Sequence, residues 1–154
     1  MPDPKRRKTR RCIAVRNSNI HGKGVFATTF IPQGTRIIEY KGVRMSEDAA
    51  DEKYGDDESP HTFLFLIDDQ IVIDANHNGN SARWINHSCD PNCEPTEENE
   101  RLFIDAIRDI QPGKELAYDY NLIVEERHTP ALKRLYACVC GTRQCRDTIL
   151  GAKR

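Results

Sequence analysis

A mainly β domain is what this sequence predicts, on three observations. Short runs of apolar and β-branched residues recur along the chain, turn residues punctuate them, and few stretches carry a helical period. At 154 residues the chain makes one domain. A domain of that size buries a real core without disulfides.

The elements follow in order. Cys12 to Arg16 forms a first strand, and Asn17 to Gly24 a loop whose Gly22-Lys23-Gly24 brings backbone close to a ligand. Val25 to Thr28 and Thr35 to Tyr40 are expected to pair, joined through the turn Ile31-Pro32-Gln33-Gly34. Ser46 to Lys53 is the best helix, with Ser46 as N-cap and acids in its first turn. A polar, acidic loop follows from Tyr54 to Pro60. Thr62 to Ile67 is a continuous apolar strand, expected to be buried on both faces, and Asp68-Asp69-Gln70 turns it into Ile71 to Asp74. Asn80 to Asn86 forms a short helix. Arg101 to Ile107 and Glu115 to Tyr118 flank a hairpin-like turn at Gln111-Pro112-Gly113-Lys114. Val124 to Arg134 is helical but broken by Pro130, and a Cys-rich tail ends the chain.

Charge narrows the function classes. The net charge of -1 excludes a chain that binds nucleic acid through its overall field. Six of the seven residues Lys5 to Arg11 are basic, so any nucleic-acid contact or nuclear address lies in that start, which equally fits a solvated tail. Glu47 to Glu58 holds seven acids and one Lys, a stretch that attracts a basic peptide or is simply solvated. The longest apolar run, Phe63 to Ile67, is too short for a membrane span, and no apolar signal region follows the basic start.

Three stretches carry chemistry. Asn86-His87-Ser88-Cys89-Asp90-Pro91-Asn92-Cys93 packs polar, metal-capable and turn-forming residues where no amphipathic period explains them. Tyr118 and Tyr120, two apart on an extended segment, point the same way and need hydrogen-bond partners if buried. Cys138-Val139-Cys140 with Cys145 offers three thiolates, one short of a tetrahedral zinc. The fourth ligand comes from Cys89, Cys93 or Cys12, with His87 or His128 behind them. So tight a cluster suits metal better than disulfides and fits a reducing cytosol or nucleus.

Taken together, these pieces resemble the SET domain of protein lysine methyltransferases with its Cys-rich post-SET tail. His21-Gly22-Lys23-Gly24-Val25-Phe26-Ala27 resembles the family's opening G-x-G segment, and Glu39-Tyr40-x-Gly42 its E-Y-x-G strand. Gly79-Asn80-x-Ala82-Arg83-Trp84-Ile85-Asn86-His87-Ser88-Cys89-x-Pro91-Asn92 resembles the G-N-x-A-R-F-I-N-H-S-C-x-P-N signature. Glu115-Leu116-x-Tyr118-Asp119-Tyr120 resembles E-L-x-[FY]-D-Y. Five segments in the family's order, from about Arg11 to Leu150, make the match specific.

The resemblance implies a β-clip type fold of small curved sheets, with a pseudoknot-like crossing and a zinc-bound C-terminal tail. It divides the chain into a flexible basic N-terminus (1–10), a SET domain (11–122) and a post-SET tail (123–154). It implies structural zinc on Cys89, Cys138, Cys140 and Cys145, leaving Cys12 and Cys93 free. It also implies transfer of a methyl group from S-adenosylmethionine (AdoMet) to an exposed lysine of a protein, with S-adenosylhomocysteine as product. The substrate would be a histone or histone-like basic tail, in the nucleus or cytoplasm. Tyr120 would be the catalytic tyrosine and Tyr40 would line its channel. Tyr118, at the Phe/Tyr product switch, would hold a water that limits the product mainly to monomethyl-lysine. His21, Lys23, Asn86 and His87 would hold AdoMet, with Gly22 and Gly24 admitting it, Arg83 and Trp84 flanking it and Phe63 at the cofactor-contact position.

Two departures stand out. Phe63 sits where many relatives place a cofactor-contacting Tyr, and Trp84 replaces the usual Phe. With a short segment between Gly42 and Thr62 and no Cys-rich region ahead of the domain, a minimal, stand-alone enzyme is expected, in bacterial or viral style. A catalytically silent SET module that binds partners is the alternative, and the retained Tyr120, Asn86 and His87 argue against it. A small zinc-binding nucleic-acid module is disfavoured by ligands split across the sequence.

Overall fold

Burial alternates along the central strands. In β9 (Arg101–Ala106), Leu102, Ile104 and Ala106 are buried while the residues between them are more exposed, as side chains on a strand must alternate. The computed structural model describes residues 12–20, 22–54, 64–67, 71–120, 129–138, 140–143 and 145–150. The basic start, His21, the acidic loop at 55–60, Thr62, Phe63, the turn at 68–70 and residues 124–128 lie outside the described residues.

The fold is mainly β. β1 (Ile13–Asn17) pairs with β2 (Lys23–Ala27) in one small antiparallel sheet. A second sheet runs in the order β4 (Val43–Ser46), β6 (Ile71–Asp74), β5 (Leu64–Ile67). The third has the order β3 (Arg36–Glu39), β9, β8 (Cys93–Glu98), β10 (Ala117–Tyr118), β7 (Asn86–His87). Their inner faces share one core that includes Val25, Ile37, Ile73, Ile85, Ile104 and Leu116. Among the described residues no helix is long and apolar enough to cross a membrane.

Helix starts follow capping chemistry. In α1 (Glu47–Tyr54) the Ser46 hydroxyl accepts from the Ala49 N–H at 3.1 Å. Asn80 does the same for a 3-10 turn, Ser81–Trp84, accepting from Ala82 N–H, while its amide donates to the Glu39 carbonyl at 2.9 Å. Pro130, expected to break a helix, instead begins α2 (Pro130–Leu135) behind the N-cap Thr129. Proline has no N–H to lose in a first turn, so it suits that place.

Two expected hairpins are absent. Both Pro-Gly turns form, with Gly34 at φ 88° and Gly113 at φ 86°, but neither joins paired strands. β3 pairs with β9, whereas β2 takes β1 on one side and residues 113–116 on the other. There the Gly113 and Leu116 N–H groups donate to the Ala27 and Val25 carbonyls at 2.7 Å. A turn fixes where the chain reverses; burying Val25 and Leu116 decides what lies beside it. β5 differs too. It lies at the side of its sheet, with Ile67 buried and Leu66 exposed, not buried on both faces.

The feature that builds the site is a crossing. β10 lies between β7 and β8 and runs parallel to both, yet those two strands are joined only by residues 88–92. That link passes across β10 and is tied to it. Asn92 Nδ2 donates to the Glu115 carbonyl and Ala117 N–H to Asn92 Oδ1, each at 2.9 Å. The Ser88 N–H donates to the Tyr118 carbonyl at 3.2 Å. This is the pseudoknot-like threading that the resemblance implied, a rare arrangement in proteins.

Candidate active site

Because β7 and β10 lie side by side, Asn86 is brought against Glu115 and the start of β2. The Asn86 amide nitrogen stands 2.8 Å from Glu115 Oε2, 3.0 Å from the Lys23 carbonyl and 3.1 Å from Ser18 Oγ. The Ser18 hydroxyl in turn donates to the Glu115 carboxylate at 2.7 Å. This network explains Gly24. A Cβ there would stand 2.3 Å from Glu115 Oε2, so the carboxylate occupies the space a side chain needs. Gly22, at φ 46°, serves the turn instead.

The next residue, His87, is buried and accepts the Tyr120 N–H at Nδ1, 3.0 Å away. Burial drives its imidazole toward the neutral form, with pKa pushed down to about 4 although Asp119 pulls the other way. Its ring packs edge-on against Tyr120 with centroids 5.4 Å apart. Tyr120 lies 4.9 Å from Tyr118, Tyr118 lies 6.3 Å from Phe65, and Phe65 lies 5.5 Å from Tyr40. One aromatic chain thus runs from His87 to Tyr40. Burial, and then the neighbouring phenols, push the Tyr118 hydroxyl well above its ordinary pKa. Burial likewise raises those of Tyr40 and Tyr120. All three keep their protons at neutral pH. The Tyr120 hydroxyl spends its proton on the Ile85 carbonyl, one residue before Asn86.

Lys23 and Arg83 both sit over the Trp84 ring, 5.0 and 4.6 Å from its centre. Arg83 Nη1 donates to the Ala75 carbonyl at 3.3 Å, but its buried Nε has no partner among the described residues. An orphan donor of this kind fits a polar ligand group. His21 and Phe63 lie outside the described residues.

The thiols of Cys89, Cys138, Cys140 and Cys145 lie within 4.8 Å of one another and could hold a metal ion. The Cys89 and Cys138 sulfurs are 3.8 Å apart. Thiolates bound to tetrahedral zinc at about 2.3 Å are themselves spaced by about 3.8 Å, so the cluster is compatible with zinc. Cys12 and Cys93 are buried elsewhere in the core. Cys93, removed from water, has its thiol pushed up to about 12.

A SET domain family model matches residues 22–121, spanning β2, the crossing and Tyr120. This chain belongs to the SET domain family. The SET domain here is 38% identical over 140 residues to histone-lysine N-methyltransferase trithorax of Drosophila virilis, covering 87% of this chain and 4% of that protein. It is 37% identical over 147 residues to histone-lysine N-methyltransferase 2B of Homo sapiens, covering 92% and 5%. It is 36% identical over 147 residues to histone-lysine N-methyltransferase set1 of Dictyostelium discoideum, covering 91% and 9%. The chain therefore spans a small fraction of the length of these relatives.

Sequence reasoning missed three residues of this SET domain site. Phe65 links Tyr40 to Tyr118, but its apolar strand was a core signal only. Glu115 opens the Glu115-Leu116-x-Tyr118-Asp119-Tyr120 motif, and a carboxylate next to the buried Leu116 needs partners. Arg146 follows the last Cys directly and grips Asp119, at 2.8 and 3.0 Å. A basic residue beside a thiol cluster was the available signal.

Proposed function

We propose that this SET domain methylates a lysine ε-amine on a histone or histone-like basic protein, with AdoMet as donor and monomethyl-lysine as main product. The observation that carries this reading is the bond of the Tyr120 hydroxyl to the Ile85 carbonyl, beside Asn86, at one end of a buried aromatic chain. When bound, AdoMet supplies an electrophilic methyl group on a cationic sulfonium. Lys23, Asn86 and His87 would hold it, with Arg83 and Trp84 flanking it, and His21 and Phe63 complete the set that the family resemblance suggests.

The chain's own groups do the rest. Methyl transfer to an amine is an in-line displacement, so positioning dominates. With its proton committed to Ile85, the Tyr120 oxygen faces an incoming amine as an acceptor. Burial beside a positive charge disfavours the ammonium form of the target lysine, whose ordinary pKa is about 10.4. Tyr40, Phe65 and Tyr118 supply aromatic walls, and the neutral His87 adds no competing positive charge. The Tyr118 hydroxyl, protonated and buried, would hold a water that crowds out a second methyl.

Zinc on Cys89, Cys138, Cys140 and Cys145 would be structural, since four thiolates leave no open position. Residues 11–122 then form the SET domain and 123–154 the post-SET tail. The relatives' names support histones as the substrate class, and a histone substrate fits action on chromatin. Exposed acids on α1, Glu47, Asp48, Asp51 and Glu52, suit a basic tail. The test is AdoMet-dependent methylation of core histones, read by mass spectrometry. Monomethyl-lysine at a discrete site is expected; no transfer to any histone or basic peptide overturns the reading.

A further inference from the structure

Arg146 occupies a position that no role described so far explains. Its guanidinium grips the Asp119 carboxylate with both terminal nitrogens, Nη1 to Oδ2 at 2.8 Å and Nη2 to Oδ1 at 3.0 Å. Its backbone N–H donates to the Cys89 sulfur at 3.3 Å, and Nη2 also reaches the Leu150 carbonyl at 3.4 Å. Asp119 directly precedes Tyr120, whose N–H is held by His87. The Asp119 Oδ1 that takes Nη2 also lies 3.6 Å from His87 Nδ1. One residue therefore joins the thiol cluster, the Leu150 carbonyl and the segment after β10 that carries Tyr120.

We propose that Arg146 is a positioning residue that transmits occupancy of the Cys89, Cys138, Cys140 and Cys145 site to Tyr120 through Asp119. The fork geometry matters here. A planar guanidinium fixes a carboxylate in two directions at once, which a lysine ammonium cannot do. Thiolates gathered on a metal hold Cys89 and Cys145 still, and Arg146 is tied to both, by its N–H to one and by the chain to the other. Asp119 is then clamped, and the Tyr120 N–H stays aligned with His87 Nδ1. With the thiols released, Arg146 loses its fixed base. The pair is partly exposed, so it contributes position more than stability.

This inference deepens the proposed reaction and rests on the metal reading, but it is tested without methyl transfer. Hydrogen–deuterium exchange is followed at residues 117–120 in the full chain, loaded with one equivalent of zinc and then stripped by a chelator. In the native chain stripping is expected to speed exchange about tenfold or more. In Asp119→Asn and Arg146→Gln, exchange is expected to be fast with zinc bound and to change less than twofold on stripping. The double variant should match the singles, because both remove one coupling. Arg146→Lys, which keeps the charge and folds with least disturbance, should recover only part of the zinc response. Exchange in the native chain that ignores zinc removal overturns the proposal, as does a full zinc response in Arg146→Gln or Arg146→Lys. A chain that takes up no zinc overturns it as well. Failure of histone methylation with the exchange coupling intact would strike the proposed function alone.

Discussion

The backbone N–H of Tyr120 donates to Nδ1 of His87 at 3.0 Å, across 33 residues of sequence. The bond needs an imidazole that is unprotonated at Nδ1, which burial of His87 favours. Replacing His87 by Leu leaves a partly buried N–H without its acceptor. Denaturant unfolding should show a loss of about 1–3 kcal/mol, and AdoMet affinity should fall as well. Native-like stability would mean that the N–H finds another partner.

Tyr120→Phe removes a hydroxyl but keeps the ring packed against His87 and Tyr118. Steady-state kinetics should show kcat falling by about a hundredfold or more, the usual scale for losing one transition-state polar contact. Calorimetric AdoMet binding should change little. Retained kcat would remove Tyr120 from the chemistry.

Tyr118→Phe replaces a buried hydroxyl by an apolar wall. Mass spectra of the product should shift from monomethyl toward di- and trimethyl-lysine with total turnover preserved. The ring fits unchanged, since Tyr118 already packs against Tyr120 and Phe65 as an aromatic.

Gly24→Ala puts a methyl into the space of the Glu115 carboxylate, which Ser18 and Asn86 hold in place. The loss should be about 1–3 kcal/mol. In a Glu115→Ala background the same substitution should cost clearly less, because the clashing atoms are gone. A cost that is equal in both backgrounds would place the strain elsewhere.

Asp74 gives a pH signature of its own. Burial alone would raise its carboxyl, but bonds from Tyr54 Oη at 2.6 Å, Asn76 N at 2.9 Å and Lys53 Nζ at 3.3 Å outweigh that. The net effect holds it below the usual carboxylate range. Its folded form then binds fewer protons than the unfolded chain once pH falls below about 3.9. Its stabilisation is full above that pH and is lost as pH falls through the depressed folded value. Asp74→Asn should lower stability by about 1–3 kcal/mol at neutral pH and flatten this acid limb in unfolding curves taken from pH 6 downward.

Local chemistry was the legible part of the fold. Ser46 and Asn80 cap the elements expected behind them, and the motif residues Asn86 and Tyr118–Tyr120 do converge. Non-local pairing was not legible. Pro32-Gly34 and Pro112-Gly113 look like hairpin turns because turn signals act over four residues, while strand partners are set by burial across the whole chain. Pro130 misled for a similar reason, since proline marks either end of a helix. In the candidate site, the amide, imidazole, phenol and thiol side chains stand out in the sequence by type. Those that work by contact, Phe65, Glu115 and Arg146, became visible only when distant segments met.

The seat of β10 between β7 and β8 has a consequence for synthesis. Until Glu115 to Tyr118 leave the ribosome, β7, β8 and the Val25 carbonyl have nothing to pair with on that side. A nascent or truncated chain ending before Glu115 presents two open strand edges, the kind of surface that recruits other chains. A chain cut just ahead of Glu115 should therefore aggregate as well as lose Tyr120.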